Sequence, residues 1–101
     1  MFVAILRVHV HFPDAGSLKA KRSELNSIKA HLRQRHGASV AEVEHQDTWQ
    51  RTTLAVAVVG HTAAGTHERA DDVRRYLDAR LEQGARVEER LTSWTDLEAL
   101  G

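Results

Sequence analysis

Ser17-Leu18-Lys19-Ala20-Lys21-Arg22 opens the segment that decides the fold, which runs on through Gly37, Ser39-Val40-Ala41-Glu42-Val43 and Gln46-Asp47-Thr48-Trp49-Gln50-Arg51 to Thr52. Ser17 suits an N-cap, because its hydroxyl can accept a hydrogen bond from a free amide of the first turn. Leu18, Leu25, Ile28 and Leu32 follow at helical spacing, and Gly37 supplies the left-handed residue that closes a helix. Arg33, Arg35 and His36 stand where cations favour the negative end of the helix dipole. The residues Ala38 to Gln46 then read as a strand of weak apolarity, and Thr52 to Gly60, rich in valine, as a more deeply buried one. Asp47-Thr48-Trp49-Gln50 between them is short and polar, as a hairpin or bulged turn requires.

Upstream, Phe2, Ala4, Leu6, Val8, Val10 and Phe12 alternate with Val3, Ile5, Arg7, His9 and His11, which predicts a strand with one core face and one face that turns polar toward its carboxyl end. Pro13-Asp14-Ala15-Gly16 breaks it. Downstream, His61 to Gly65 reads as a loop and Thr66 to Gln83 as a second helix, with Val73, Tyr76, Leu77 and Leu81 inward and Gly84 as its stop. Ala85, Val87, Glu89 and Leu91 then alternate with Arg86, Glu88, Arg90 and Thr92 in a charged edge strand. The order β-α-β-β-α-β, with the handedness of its crossovers, predicts an α+β ferredoxin-like plait: a four-stranded antiparallel sheet with two helices on one face. The expectation is one domain over residues 1–101, with 96–101 as a fraying tail.

With 101 residues and 42% hydrophobic content, the chain can support a single core built from Val, Leu, Ile and Ala, since only 5% of residues are aromatic. Fourteen basic and fourteen acidic side chains cancel, so net charge points to no partner. Their distribution does. Residues 17–37 carry Lys19, Lys21, Arg22, Lys29, Arg33 and Arg35 against Glu24, a net +5, whereas residues 66–101 carry nine acids and six bases, a net −3. The chain has no cysteine, which excludes disulfides, thiolate metal sites and cysteine nucleophiles and fits a reducing cytoplasm. Arg7 and His9 interrupt the apolar amino-terminal stretch well short of the roughly 20 residues that a membrane span needs, and no charged n-region or small-residue cleavage site marks a signal peptide.

Clustered Lys and Arg are what phosphate contacts require, because they displace counterions from a nucleic-acid backbone. Lys19, Lys21, Arg22, Lys29, Arg33 and Arg35 are therefore the candidate nucleic-acid-binding residues, set against the plain alternative of a solvated helix face with local ion pairs. Lys21 falls in the apolar register of the helix. Gln46, Asp47, Trp49 and Gln50 form the second candidate group, in which an amphipathic ring within a polar turn either pins the loop or anchors a partner. His9 and His11, at i and i+2, would form a metal site only if His45 and Asp47 converged on them, and no metal or cofactor is expected. Glu42, Glu44 and Asp47 lack an accompanying nucleophile or phosphate loop, so catalysis is not expected either. On the open face the first strand offers Arg7, His9 and His11, and the third strand has no aromatic at all, which turns any RNA reading toward structured RNA recognised by shape and phosphates.

Ser17-Leu18-Lys19-Ala20-Lys21-Arg22 resembles the SLKxKR signature of the YlxP-like proteins, uncharacterised bacterial domains. Ser39-Val40-Ala41-Glu42-Val43 followed by Gln46-Asp47-Thr48-Trp49-Gln50 resembles their second motif, and the likeness extends from the first strand to the last. The resemblance implies a ferredoxin-like domain and assigns no activity. It also implies, by gene neighbourhood with translation initiation and ribosome maturation factors, an association with RNA or the ribosome. The expectation is a non-catalytic cytoplasmic domain, a homodimer, binding structured RNA or a ribosomal particle through its first helix. The alternative is a protein-interaction or small-ligand regulatory dimer without nucleic-acid binding.

Overall fold

The computed structural model describes residues 1–12, 16–44, 50–81 and 84–100. Its elements are β1 (Phe2–His11), α1 (Leu18–His36), β2 (Ser39–Glu44), β3 (Arg51–Gly60), α2 (Ala63–Arg80), β4 (Ala85–Ser93) and α3 (Trp94–Leu100). The four strands form one antiparallel sheet in the order β2-β3-β1-β4. This is the ferredoxin-like plait, with β1 in the interior and β4 on an edge, as the alternation of its charged residues predicts.

β1 and β3 take the interior, and they carry the most apolar core faces of the four strands. Leu6 lies opposite Val56 on one side and Glu89 on the other. Ala4, Leu6, Val8 and Val10 face the helices, where Leu25, Ile28 and Leu32 of α1 and Ala70, Val73 and Leu77 of α2 close over them. Burying each of the larger of these side chains contributes about 1.5–3 kcal/mol, and the layer they form holds both long helices on the same face of the sheet.

The helix ends follow from local chemistry. The Ser17 hydroxyl accepts the Ala20 N–H at 3.1 Å, and Gly37 closes α1 with φ 60°. α2 begins earlier than the apolar spacing predicts: Thr62 caps it by accepting the Gly65 N–H at 3.0 Å, and the Thr66 hydroxyl donates to the Thr62 carbonyl at 2.6 Å. It also stops earlier. Leu81 is its C-cap, and the expected stop residue, Gly84, adopts φ 67° beyond it while its N–H donates to the Leu81 carbonyl at 3.0 Å. Gly60 ends β3 where α2 starts, and a Cβ there would stand 2.0 Å from the Thr66 Oγ1, so only glycine allows this approach.

The last residues add an element to the predicted order: Ser93 and Asp96 cap α3 reciprocally, each backbone N–H donating to the other's side chain at 3.1 Å, so the first orphan amides are satisfied. The second strand, expected over 38–46, is described over Ser39–Glu44, with a register shift between Glu42 and Glu44, and residues 45 and 46 lie outside the described residues. Glu42 lies opposite Leu54 and Glu44 opposite Thr53, and those two β3 residues point to opposite faces of the sheet. The shift therefore separates two carboxylates that simple alternation places together.

Chain direction fixes what shares an end of the sheet. β1 finishes at His11, β2 at Glu44 and α2 at Arg80, while β3, β4 and α1 begin at Arg51, Ala85 and Leu18. Two ion pairs and a hydrogen bond fix the alignment of α1: Lys29 Nζ approaches Glu42 at 4.0 Å, Arg33 donates to the Val40 carbonyl at 2.9 Å, and Arg80 at the end of α2 pairs with Glu24. The first turn of α1 and the polar end of β1 thus lie at the same end of the molecule.

Candidate nucleic-acid interface

The six cations of α1 separate into distinct environments. Helical periodicity places Lys19, Arg22, Lys29 and Arg33 on one flank, the side toward β2, and Arg35 on the opposite flank. Lys19, Arg22, Arg33 and Arg35 are exposed. Lys21 is only 3% exposed and belongs to the stripe of Leu25, Ile28 and Leu32, so it is withdrawn from any surface the other cations form. Among the described residues no buried side-chain nitrogen or oxygen lacks a hydrogen-bond partner, so that burial is satisfied.

Part of the remaining charge is structural. Lys29 faces Glu42, and Arg33 occupies a carbonyl of the edge strand β2, which blunts an edge that would otherwise invite pairing. Lys19, Arg22 and Arg35 have no acidic partner among the described residues. α1 has no acid in its first turn. Lys19 thus sits at the positive end of the helix dipole, where a cation costs roughly 0.3–1 kcal/mol rather than stabilising the helix, and Arg22 follows in the second turn.

On the other flank α1 meets α2 through aromatic rings. His31 stacks on Tyr76 with centroids 3.7 Å apart and planes 5° from parallel, and His36 tilts against His31 at 5.2 Å. Burial, reinforced by the neighbouring His31, lowers the pKa of His36, with Asp72 opposing and Arg69 adding to the shift. Burial likewise raises the pKa of Tyr76, against the hydrogen bond and charge of Arg80.

The uncovered face of the sheet carries its own network. Arg7 holds Glu88 with two hydrogen bonds, at 3.0 and 3.1 Å. His9 Nε2 lies 2.8 Å from the same carboxylate, and His9 Nδ1 lies 3.3 Å from the Thr53 hydroxyl. His9 and then Arg7 draw the Glu88 carboxyl down to about 2. Both ring nitrogens of His9, a member of the candidate metal set, are engaged. His45 and Asp47, the other members of that candidate set, lie outside the described residues. So do Gln46 and Trp49 of the candidate partner turn, whereas Gln50 is exposed and its carbonyl accepts the Phe12 N–H at 2.6 Å.

A further cluster, invisible in the sequence, joins α2 to β4. His67, Asp71 and Glu89 present ligand atoms within 4.8 Å of one another. The two ring nitrogens of His67 face different carboxylates, Asp71 at 3.4 Å and Glu89 at 3.1 Å, and Arg74 shares Glu89 at 3.1 Å. The arrangement is an ion-pair network that neutralises a half-buried glutamate facing α2. Alternation puts Glu89 on the core face; only the packing of α2 reveals its partners.

The family model described as protein of unknown function (DUF503) matches residues 3–90. The uncharacterized protein YlxP of Bacillus subtilis (strain 168) is 36% identical over 66 residues, covering 65% of this chain and 72% of that protein. Among solved structures, the de novo designed protein Foldit4 is similar with a TM-score of 0.60 at 14% identity, over 91% of this chain and 96% of the design. PelD from Pseudomonas aeruginosa PAO1 is similar with a TM-score of 0.52 at 14% identity, over 99% of this chain and 36% of that one. At such identities the structural likeness concerns the fold alone.

Proposed function

The chain belongs to the DUF503 family, and from its charge geometry we propose that it is a non-catalytic cytoplasmic domain that binds structured RNA, free or within a ribosomal particle, through α1. The observation that carries this reading is the pair Lys19 and Arg22: exposed, without acidic partners among the described residues, and, for Lys19, set against the helix dipole. A helix built for stability alone places Asp or Glu in that turn. Cations that are unfavourable in the free protein become favourable when a phosphate backbone supplies the missing negative charge. Lys29 and Arg33 extend the flank along β2. The described strands of the open face carry no Phe, Tyr or Trp on that side, so contacts to phosphates and to the shape of a folded RNA account for the binding better than base stacking.

The test is binding to ribosomal subunits and to a structured RNA over a salt series, with Lys19→Glu/Arg22→Glu as the variant and buried Lys21 left intact. The wild-type affinity falls steeply with salt, and removal of two phosphate contacts lowers the slope of log K against log salt by about 2. Absence of binding at low salt, or equal binding by a folded variant, refutes the assignment.

A second reading, homodimerisation over the uncovered sheet face, rests on Ile5, Val43 and Val59, which are 47%, 48% and 62% exposed on that face. Sedimentation of the wild type and of Ile5→Lys/Val59→Lys checks it. A dimer that the double substitution converts to monomer supports the reading, and a wild-type monomer at high protein concentration contradicts it.

A further inference from the structure

At the polar end of the uncovered face, a depression of about 510 Å³ is lined by His9, His11, Glu44, Arg51, Thr53 and Arg86 together with parts of neighbouring strands. We propose that this depression is a phosphate-binding site in which Arg51 and Arg86 clasp a phosphoryl group above the histidine-bearing end of β1. The inference stands on the sheet face and does not depend on the helix reading.

Register builds the site. His11 lies opposite Arg51 on β3, and His9 lies opposite Arg86 on β4. Arginine therefore stands directly across from imidazole on both sides of β1, in a position where an acid would stabilise the sheet and a second basic group does not. Glu88, two residues along β4 from Arg86, is held by Arg7 and His9 and so does not answer Arg86. Arg51 and Arg86 have no acidic partner among the described residues, and Glu44 is the single carboxylate among those lining the depression. Two planar guanidinium forks on the walls of a depression this size match the tetrahedral oxygens of a phosphoryl group, which accept paired N–H donors. The His9 ring is engaged at both nitrogens, by Glu88 and by Thr53.

The phosphate has two sources, an RNA backbone or a small phosphomonoester, and both share this chemistry. The experiment is a titration of the ¹⁵N-labelled full chain with inorganic phosphate at constant ionic strength, followed by NMR of the amides of residues 9–11, 51–53 and 86 and of the arginine Nε–H groups. Saturable shifts are expected there in the wild type. Arg51→Gln/Arg86→Gln, whose substituted side chains are exposed, should keep a dispersed spectrum and bind at least about tenfold more weakly. Arg75→Gln, an exposed arginine of α2 on the opposite face of the sheet, should bind phosphate as the wild type does, and because the titration is read on the sheet residues alone, failure of the helix reading and failure of this one are distinguishable. No saturable shift up to about 100 mM phosphate, shifts reproduced by chloride, or shifts retained in the arginine double variant overturn the proposal. Displacement of phosphate by an RNA hairpin identifies the backbone as the source; displacement by phenyl phosphate without displacement by the hairpin identifies a small phosphorylated ligand.

Discussion

Lys21 shares the buried stripe of α1 with Leu25, Ile28 and Leu32, whereas Lys19, two residues earlier, stands in solvent. The difference was legible in the helical register, which assigns position 21 to the apolar side. Composition alone counts the two lysines as equivalent. The account predicts opposite outcomes for the same substitution. Lys21→Glu reverses a buried charge and should cost about 3–5 kcal/mol, the range for breaking a buried ionic arrangement. Lys19→Glu places an acid at the positive end of a dipole and should change stability by no more than about 1 kcal/mol, in the stabilising direction. Urea unfolding of the two variants measures both; equal losses would contradict the placement of Lys21. Glu89 shows the opposite limit of legibility. Its face follows from alternation, but its partners, His67 and Arg74, come from a helix more than ten residues away in sequence, and no local pattern names them.

The elements were legible where hydrophobic periodicity was strong and were displaced where hydrogen-bonding side chains set the ends. β1 and α1 follow their apolar registers almost to the residue. α2 starts ahead of its first inward residue because Thr62 caps it, and α3 exists because Ser93-Trp94-Thr95-Asp96 forms a reciprocal cap. Both signals were present in the sequence as a hydroxyl or acid at cap spacing, in segments whose apolar pattern was too short to attract attention. The bulge that parts Glu42 from Glu44 had no such signal, because a register shift depends on the partner strand. The seam between α1 and α2 carries a pH prediction. Burial and His31 hold the His36 pKa below its usual 6.5, so the unfolded chain takes up the proton first. Stability should therefore be full above that value and decline as pH falls through it toward the lowered folded value, and His36→Gln should reduce the decline. Urea midpoints between about pH 8 and pH 5 check the sign, and a midpoint that rises on acidification only in the wild type would contradict it.

At the scale of the molecule, the meaning of the charges lies in topology. The net charge is zero, and the basic segment of residues 17–37 was plain in the sequence. The plait predicted from the element order already implies the strand order; what the sequence leaves to the structure is which side chains the register brings together. The order β2-β3-β1-β4 and the direction of α1 bring Lys19 and Arg22 to the same end of the protein as His11, Arg51 and Arg86, from four separate elements. Arg35, counted with them in the sequence, is left on the opposite flank of α1. In the described residues no helix is long and apolar enough to cross a membrane. The central claim is that this end and the β2 flank of α1 face RNA, and the most direct measurement is a map of amide shift changes on the ¹⁵N-labelled chain as a structured RNA hairpin is added at low salt. The account predicts changes at Lys19, Arg22, Lys29 and Arg33, with α3 and the start of α2 unaffected. Changes centred on α3 and the start of α2, or none at saturating RNA, would contradict it.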